Sequence, residues 1–325
     1  MESLPRLAEE CAERWSLRLG EPYTRGQVSL TVPATRSDGE PAVLKLNFPD
    51  EESSYEADAL EHWRGEGAVR LLEVDRERNA LLVERAEPGT PLWDVADDEE
   101  ATLIAASVLR RLWRHPPPDD HPFRLLASEA EEWAAQIRAD WEALGRPFER
   151  RLVDAAAESV RELAGSQPEV VVCHQDLQGS NVLRAHREQW LAIDPKPIVG
   201  DPAFDVASLL RDRRWSIQAA VIRRRLDLIS AELGLDRERI RGWGLVHALH
   251  WGLGPTRSNR TWSSAPGCCA PPSNTCRLLT RDHAAPETTL ALAKADQPWL
   301  RASAASGLML ATQKLSGITG WGTAA

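Results

Sequence analysis

The sequence predicts an α+β chain in two lobes, a small and mostly antiparallel sheet with one helix, then a larger and mainly helical part. Two textures lead to this. Between Tyr23 and Glu84 short apolar runs alternate with turn residues, as strands do, whereas after Glu99 apolar residues recur every three or four positions, as on one face of a helix. A third observation locates the chemistry. The stretch VCHQDLQGSNVL (172–183) follows a short β-branched run at 170–173, which reads as a buried strand whose end gathers polar side chains.

The elements can be taken in order. SLTVPA (29–34) and AVLKL (42–46) read as strands joined by a turn at Ser37-Asp38-Gly39-Glu40. The helical stretch SYEADALEHW (54–63) follows, then strands AVRLLEV (68–74) and ALLVE (80–84) around a turn at Arg76-Glu77-Arg78-Asn79. The lobe boundary falls in ERAEPGTP (84–91). Helices are expected at 99–114, 128–144, where Ser128 and Glu131 suggest a capping box, and 148–164, with HPPPDDHP (115–122) separating the first two. A cleft between two such lobes is where a ligand usually binds.

Composition excludes several classes. Of 39 basic and 49 acidic residues, seven and three fall after residue 254, so the first 254 residues carry a net charge of −14. An acidic body disfavours nucleic acid and attracts small cations. Acidic runs such as Asp97-Asp98-Glu99-Glu100 can also serve solubility alone. No apolar run approaches the roughly 20 residues of a membrane span, and the N-terminus is charged, so a cytoplasmic protein without membrane contact is expected. The five cysteines (11, 173, 268, 269, 276) lack CxxC spacing, so reduced thiols are expected.

His174, Asp176 and Asn181 stand as HxDxxxxN, and a strand at 189–193 delivers Asp194. A turn at Ala185-His186-Arg187-Glu188 folds that strand back, bringing Asp194 near Asn181. Asn and Asp oxygens are hard ligands that suit Mg²⁺. A second carboxylate, Asp176, can accept a proton from a hydroxyl as it attacks phosphorus.

HQDLQGSNVL followed by IDPKP resembles the catalytic loop and metal-binding Asp of the kinase-like fold in the form used by aminoglycoside phosphotransferases. The run 170–211, with WLAIDPKPIVGDPAFDVASLL, is similar to the streptomycin 6-kinase and hydroxyurea phosphotransferase branch. The resemblance implies a bilobal protein-kinase-like fold with ATP and Mg²⁺ as cofactors. It makes Asp176 the catalytic base, Asn181 and Asp194 the metal ligands, His174 a structural residue of the loop, and Asp205 the carboxylate that braces it. Lys45 matches the lysine that contacts ATP phosphates, with Glu56 its ion-pair partner and Glu52 and Glu61 as rivals. Gly26, in YTRGQVSLTV, sits where a phosphate-covering loop would be, and Glu84 to Ala86 form the hinge beside adenine. The expected division is residues 1–86 as the nucleotide-binding lobe and 87–254 as the helical lobe with the catalytic loop. The implied activity is ATP-dependent phosphorylation of a hydroxyl on a small cationic antibiotic, streptomycin first and hydroxyurea as the alternative, giving resistance. Many members carry Gly at the position of Gln175, and His-Pro-Gly where this chain has Gln178-Gly179-Ser180. Neither departure removes a catalytic atom.

Residues 255–325 do not continue the pattern. They are rich in Ser, Pro and Arg and hold three of the five cysteines. A shifted reading frame is one account of them and a natural flexible extension the other. Two other classes compete with the kinase. An inactive nucleotide-binding relative would usually lack Asp176 or Asn181, and a metal-dependent hydrolase would need more metal ligands than HQD and Asp194 offer. The absence of GxxxxGK[ST] excludes a P-loop enzyme.

Overall fold

The computed structural model describes residues 4–23, 29–47, 53–212 and 218–253. Helix α1 (Leu4–Arg14) leads into β1 (Arg18–Leu19), β2 (Ser29–Thr35) and β3 (Pro41–Asn47), then α2 (Glu56–Trp63), β4 (Leu71–Asp75) and β5 (Ala80–Glu84). The five strands pair antiparallel in the order β1-β2-β3-β5-β4. Left-handed residues close both hairpins, Gly39 (φ 92°) between β2 and β3 and Asn79 (φ 49°) between β4 and β5.

Period-two alternation along β3 decides which face carries chemistry. Ala42, Leu44 and Leu46 join Val32, Ala34, Ala80 and Leu82 in a core closed by Ala8 and Cys11 of α1. Lys45 therefore projects from the opposite face. There Leu81 and Val83 pack with Leu60 and Trp63 of α2 in the main core of the molecule.

The larger lobe follows β6 (Pro88–Pro91) and comprises α3 (Asp98–Leu112), β7 (Arg124–Leu125), α4 (Leu126–Ala143), α5 (Arg150–Gly165), β8 (Val171–Cys173), β9 (Val182–Ala185), β10 (Trp190–Ala192), β11 (Ile198–Gly200), α6 (Pro202–Asp205), α7 (Ala207–Arg211), α8 (Ala219–Leu233) and α9 (Arg237–Leu253). The lobe also contains two small three-stranded sheets, β10-β9-β6 and β7-β11-β8. The acidic run 97–100 has a structural use. Asp97 accepts hydrogen bonds from the Glu99 and Glu100 N–H groups and caps α3, whose first turn holds the other three acids. The capping box expected at Ser128 is absent. Parallel pairing of β7 with β11 hands the chain straight into α4 at Leu126, so Ser128 lies inside the first turn, and Glu131 pairs instead with Arg161 of α5 at 2.6 Å. Cys11 and Cys173 are buried free thiols.

The lobes are joined along α2 and the β9–β10 hairpin. Arg187, in the hairpin turn, donates to Glu84 of the sheet lobe at 2.8 Å and to the Gly65 and Ala68 carbonyls at 2.8 and 2.9 Å. Beside it, the Val69 N–H donates to the Ala192 carbonyl at 3.0 Å, and the Ala192 N–H to that of Gly67 at 2.8 Å. Trp63 lies flat on His174, with ring centres 6.1 Å apart and planes within 8°. Because Arg187 is only partly buried, solvent offsets part of its worth. Replacing Arg187 with Ala should lower unfolding free energy by about 2 kcal/mol in urea titration, through two carbonyls and a carboxylate left without their donor.

Candidate active site

The site is assembled by the register of one hairpin. Val182 of β9 pairs with Ala192 of β10, and one step further out the Ile193 N–H donates to the Asn181 carbonyl at 2.9 Å. The next residue is Asp194, so the hairpin's open end presents Asn181 and Asp194 side by side. Asp176 closes the group from the preceding loop. Asn181 Nδ2 donates to the Asp176 carbonyl at 2.8 Å and to its Oδ2 at 3.2 Å, which leaves Asn181 Oδ1 as the oxygen that accepts, here from the Ser180 hydroxyl.

The sheet lobe supplies the counter-charge. Lys45 Nζ donates to both oxygens of Glu56 at 2.7 and 2.6 Å and reaches across to Asp194 Oδ1 at 2.5 Å. Glu56 also accepts from Asn47 Nδ2 at 2.6 Å, so this 2 % exposed carboxylate is fully engaged. Glu61, about 140° further round α2, pairs with Arg76 on the surface. Lys196 adds a second cation on Asp194 Oδ1 at 3.2 Å. Burial alone would raise the Asp194 carboxyl, but the charges and hydrogen bonds of the two lysines hold it well below the usual carboxylate range. Asp194 Oδ2 has no protein partner among the described residues, and a third of the side chain is exposed to the cleft.

The loop carrying Asp176 is held from below. Asp205, wholly buried on α6, accepts from the His174 N–H at 2.9 Å, the Gln175 N–H at 2.7 Å and Trp113 Nε1 at 2.9 Å. Gln175 and Asp194 both adopt left-handed backbone, at φ 67° and 57°. Such geometry costs a non-glycine residue of the order of 1 kcal/mol, so these bonds hold a conformation the chain would otherwise leave. Position 175 is the one at which the resemblance anticipates Gly. His174 Nε2–H donates to the Ile193 carbonyl at 2.9 Å, and burial pulls its imidazole down to about 4, so the ring is neutral at pH 7. On the loop's far side the Gly179 N–H donates to Asp212 at 2.7 Å, while Trp93 donates its indole N–H to that carboxylate and its backbone N–H to the Gly179 carbonyl.

Of the remaining candidates, Glu84 is committed to Arg187, and its N–H donates to the Arg70 carbonyl. Burial acts to raise its carboxyl, but hydrogen bonds from Arg187 and the Arg70 N–H outweigh this and lower it. Ala86 is partly buried against the main core. Gly26 and Glu52 lie outside the described residues, as does the segment 255–325. Sequence reasoning missed Lys196, Trp113 and the Trp93–Asp212 pair. Lys196 stood inside the quoted DPKP, and a lysine between two prolines beside a candidate metal ligand was a readable signal. The tryptophan contacts span 92 and 119 residues and leave no local trace.

A sheet lobe that aims a glutamate-anchored lysine at an Asp, Asn and Asp cluster on a helical lobe defines a kinase-like phosphotransferase. The chain belongs to the aminoglycoside/hydroxyurea antibiotic resistance kinase family, whose pattern it matches over residues 14–253. It is 41 % identical over 247 residues to a streptomycin 6-kinase of Streptomyces glaucescens, covering 74 % of this chain and 79 % of that one. It is 40 % identical over 250 residues to a hydroxyurea phosphotransferase of Kitasatospora aureofaciens, covering 75 % and 71 %. Its fold is similar to that of an aminoglycoside phosphotransferase from Streptomyces rimosus solved with ADP and streptomycin, with a TM-score of 0.52, 22 % identity, and coverage of 77 % and 100 %.

The brace under the loop generates a pH prediction. Burial pushes the Asp205 carboxyl up to about 6, against the pull of its three N–H donors. The folded protein thus takes up this proton more readily than the unfolded chain, so Asp205 by itself favours the fold as pH falls from about 6 towards 3.8. His174 acts oppositely between 6.5 and about 4, because there the unfolded chain binds the proton more readily. The two contributions largely cancel, while protonation still removes an acceptor that the loop uses. Turnover should fall on the acid side with a midpoint near pH 6, without a matching fall in melting temperature. Asp205→Asn should be slow at every pH and lack that midpoint.

Proposed function

We propose that this protein transfers the γ-phosphoryl group of ATP to a hydroxyl of streptomycin, and so confers resistance to it. The observation that carries the reading is the convergence of Asp176, Asn181 and Asp194 on the Glu56-anchored Lys45 where the lobes meet. In it, Asp176 orients the acceptor hydroxyl and takes its proton as the oxygen–phosphorus bond forms and the bond to the departing ADP breaks. Lys45, held straight by Glu56, neutralises the phosphates. Asn181 and Asp194 fit a hard divalent cation, since Asn181 Oδ1 accepts only from the neighbouring Ser180 hydroxyl and Asp194 Oδ2 has no protein partner among the described residues. Mg²⁺ bound there would supply charge neutralisation for the phosphate oxygens. His174 and Asp205 support the loop. The segment from Glu84 to Ala86 lies beside adenine at the boundary between a nucleotide lobe (1–86) and a catalytic lobe (87–254).

Streptomycin is favoured by charge and by kinship. Two guanidinium groups suit a body with a net charge of −14 over its first 254 residues. The Streptomyces glaucescens relative is named for this substrate. Hydroxyurea is the second reading, supported by the Kitasatospora aureofaciens relative. Asp201, although close in sequence to the site, is spent inside the lobe on the Ala203 N–H, Arg239 and Trp243. We place the enzyme in the cytoplasm, where ATP is supplied.

Incubation with Mg-ATP and each acceptor separately, read by mass spectrometry, tests the proposal. Streptomycin should gain one phosphate, and Asp176→Ala should slow this by about 10²- to 10⁴-fold with nucleotide binding retained. Transfer to hydroxyurea alone would move the assignment to the second reading, and transfer to neither would refute both.

A further inference from the structure

We infer that Lys196 is a phosphate-site lysine that holds the transferred γ-phosphoryl group. The inference rests on the kinase reading above and concerns a residue to which that reading gives no role.

The two lysines on Asp194 are not equivalent. Lys45 is bonded to Glu56 through both carboxylate oxygens in addition to Asp194. Lys196 has Asp194 as its only side-chain partner among the described residues, although its side chain is only 13 % exposed. A divalent cation on Asp194 Oδ2 would add positive charge beside two ammoniums that already share Oδ1, and whereas Lys45 also has Glu56, Lys196 has no second counter-charge bonded to it among the described residues. A largely buried ammonium short of counter-charge is costly, so an anion must arrive with the cation. A nucleotide triphosphate brings that anion.

Position says which phosphate. The Lys196 N–H donates to the His174 carbonyl at 3.0 Å, so the lysine's backbone is tied two residues from Asp176. Pro195 and Pro197 fix its flanks, which leaves the side chain as the moving part. Its side chain bonds Asp194, the carboxylate proposed to hold the metal, while its backbone is fixed beside the loop that carries Asp176, the carboxylate proposed to take the proton. Lys45 reaches the same Asp194 oxygen from the sheet lobe, anchored there by Glu56. The outermost phosphate falls to Lys196.

The test is calorimetric and needs no turnover. Binding of ADP and of the non-hydrolysable β,γ-imido analogue of ATP, each with Mg²⁺, would be measured for wild type, Lys196→Met and Lys196→Arg. Methionine keeps the apolar stem, and Asp194 keeps Lys45, so the fold is retained, as melting would check. Lys196→Met should weaken the triphosphate analogue about tenfold or more, in the range of one lost charge-assisted contact, and ADP less than about twofold. Lys196→Arg should recover most of the difference. Equal losses for the two nucleotides, or no loss, would overturn the assignment and leave Lys196 a partner of Asp194 alone. Failure of wild type to bind either nucleotide would instead overturn the kinase reading, and this inference with it.

Discussion

Four charged side chains, Lys45, Glu56, Asp194 and Lys196, meet in a partly dry seam between two lobes, and the rest of the architecture makes that meeting tolerable. Isolated charges cannot be buried at acceptable cost, so each must be delivered within hydrogen-bond reach of an opposite one. The sheet supplies Lys45 because β3 alternates, the first turn of α2 supplies Glu56, and the β9–β10 hairpin supplies Asp194 at its open end. Removing Lys45 would leave Glu56 without a bonded cation among the described residues, and removing Asp194 would leave Lys196 without its bonded carboxylate. The groups proposed to serve the reaction thus also bridge the two lobes.

The loop that carries Asp176 shows a complementary economy. Its left-handed turn at Gln175 is imposed by a carboxylate that takes two consecutive N–H groups, and Asp212 with Trp93 grips the loop again at Gly179. Neither Asp205 nor Asp212 has to touch a substrate to matter. Burial sets the protonation of Asp205 and His174 so that, near neutrality, the loop rests on an ionised acceptor and an uncharged ring.

Much of this was readable in the chain because it is local. The spacing of HxDxxxxN, the strand before it and the strand returning to Asp194 lie within about two dozen residues, and their register follows from a hairpin. The sheet lobe was readable through alternation, which places Lys45 opposite the residues packed on α1. The choice of Glu56 over Glu61 needed the phase of α2, which sequence leaves open by a residue or two. The start of α4 was misplaced because a non-local pairing, β7 with β11, sets it. The indole bonds of Trp93 and Trp113 join residues about a hundred positions apart and carry no periodic signature. The support given by Asp205 was legible only through the resemblance of GDPAFD to a known family.

The Arg187 clamp also has a mechanical meaning. It pins the end of β5 to the hairpin turn through a carboxylate and two carbonyls, at the same edge where the chain crosses from one lobe to the other. Two bodies fastened along one edge can separate only by rotation about it. A rotation about that edge would move the residues paired beside Glu84 least and Lys45, three residues further along β3, more. Small angular changes at the spine would thus become displacements of the ammonium relative to Asp194, the contact that closes the far end of the seam.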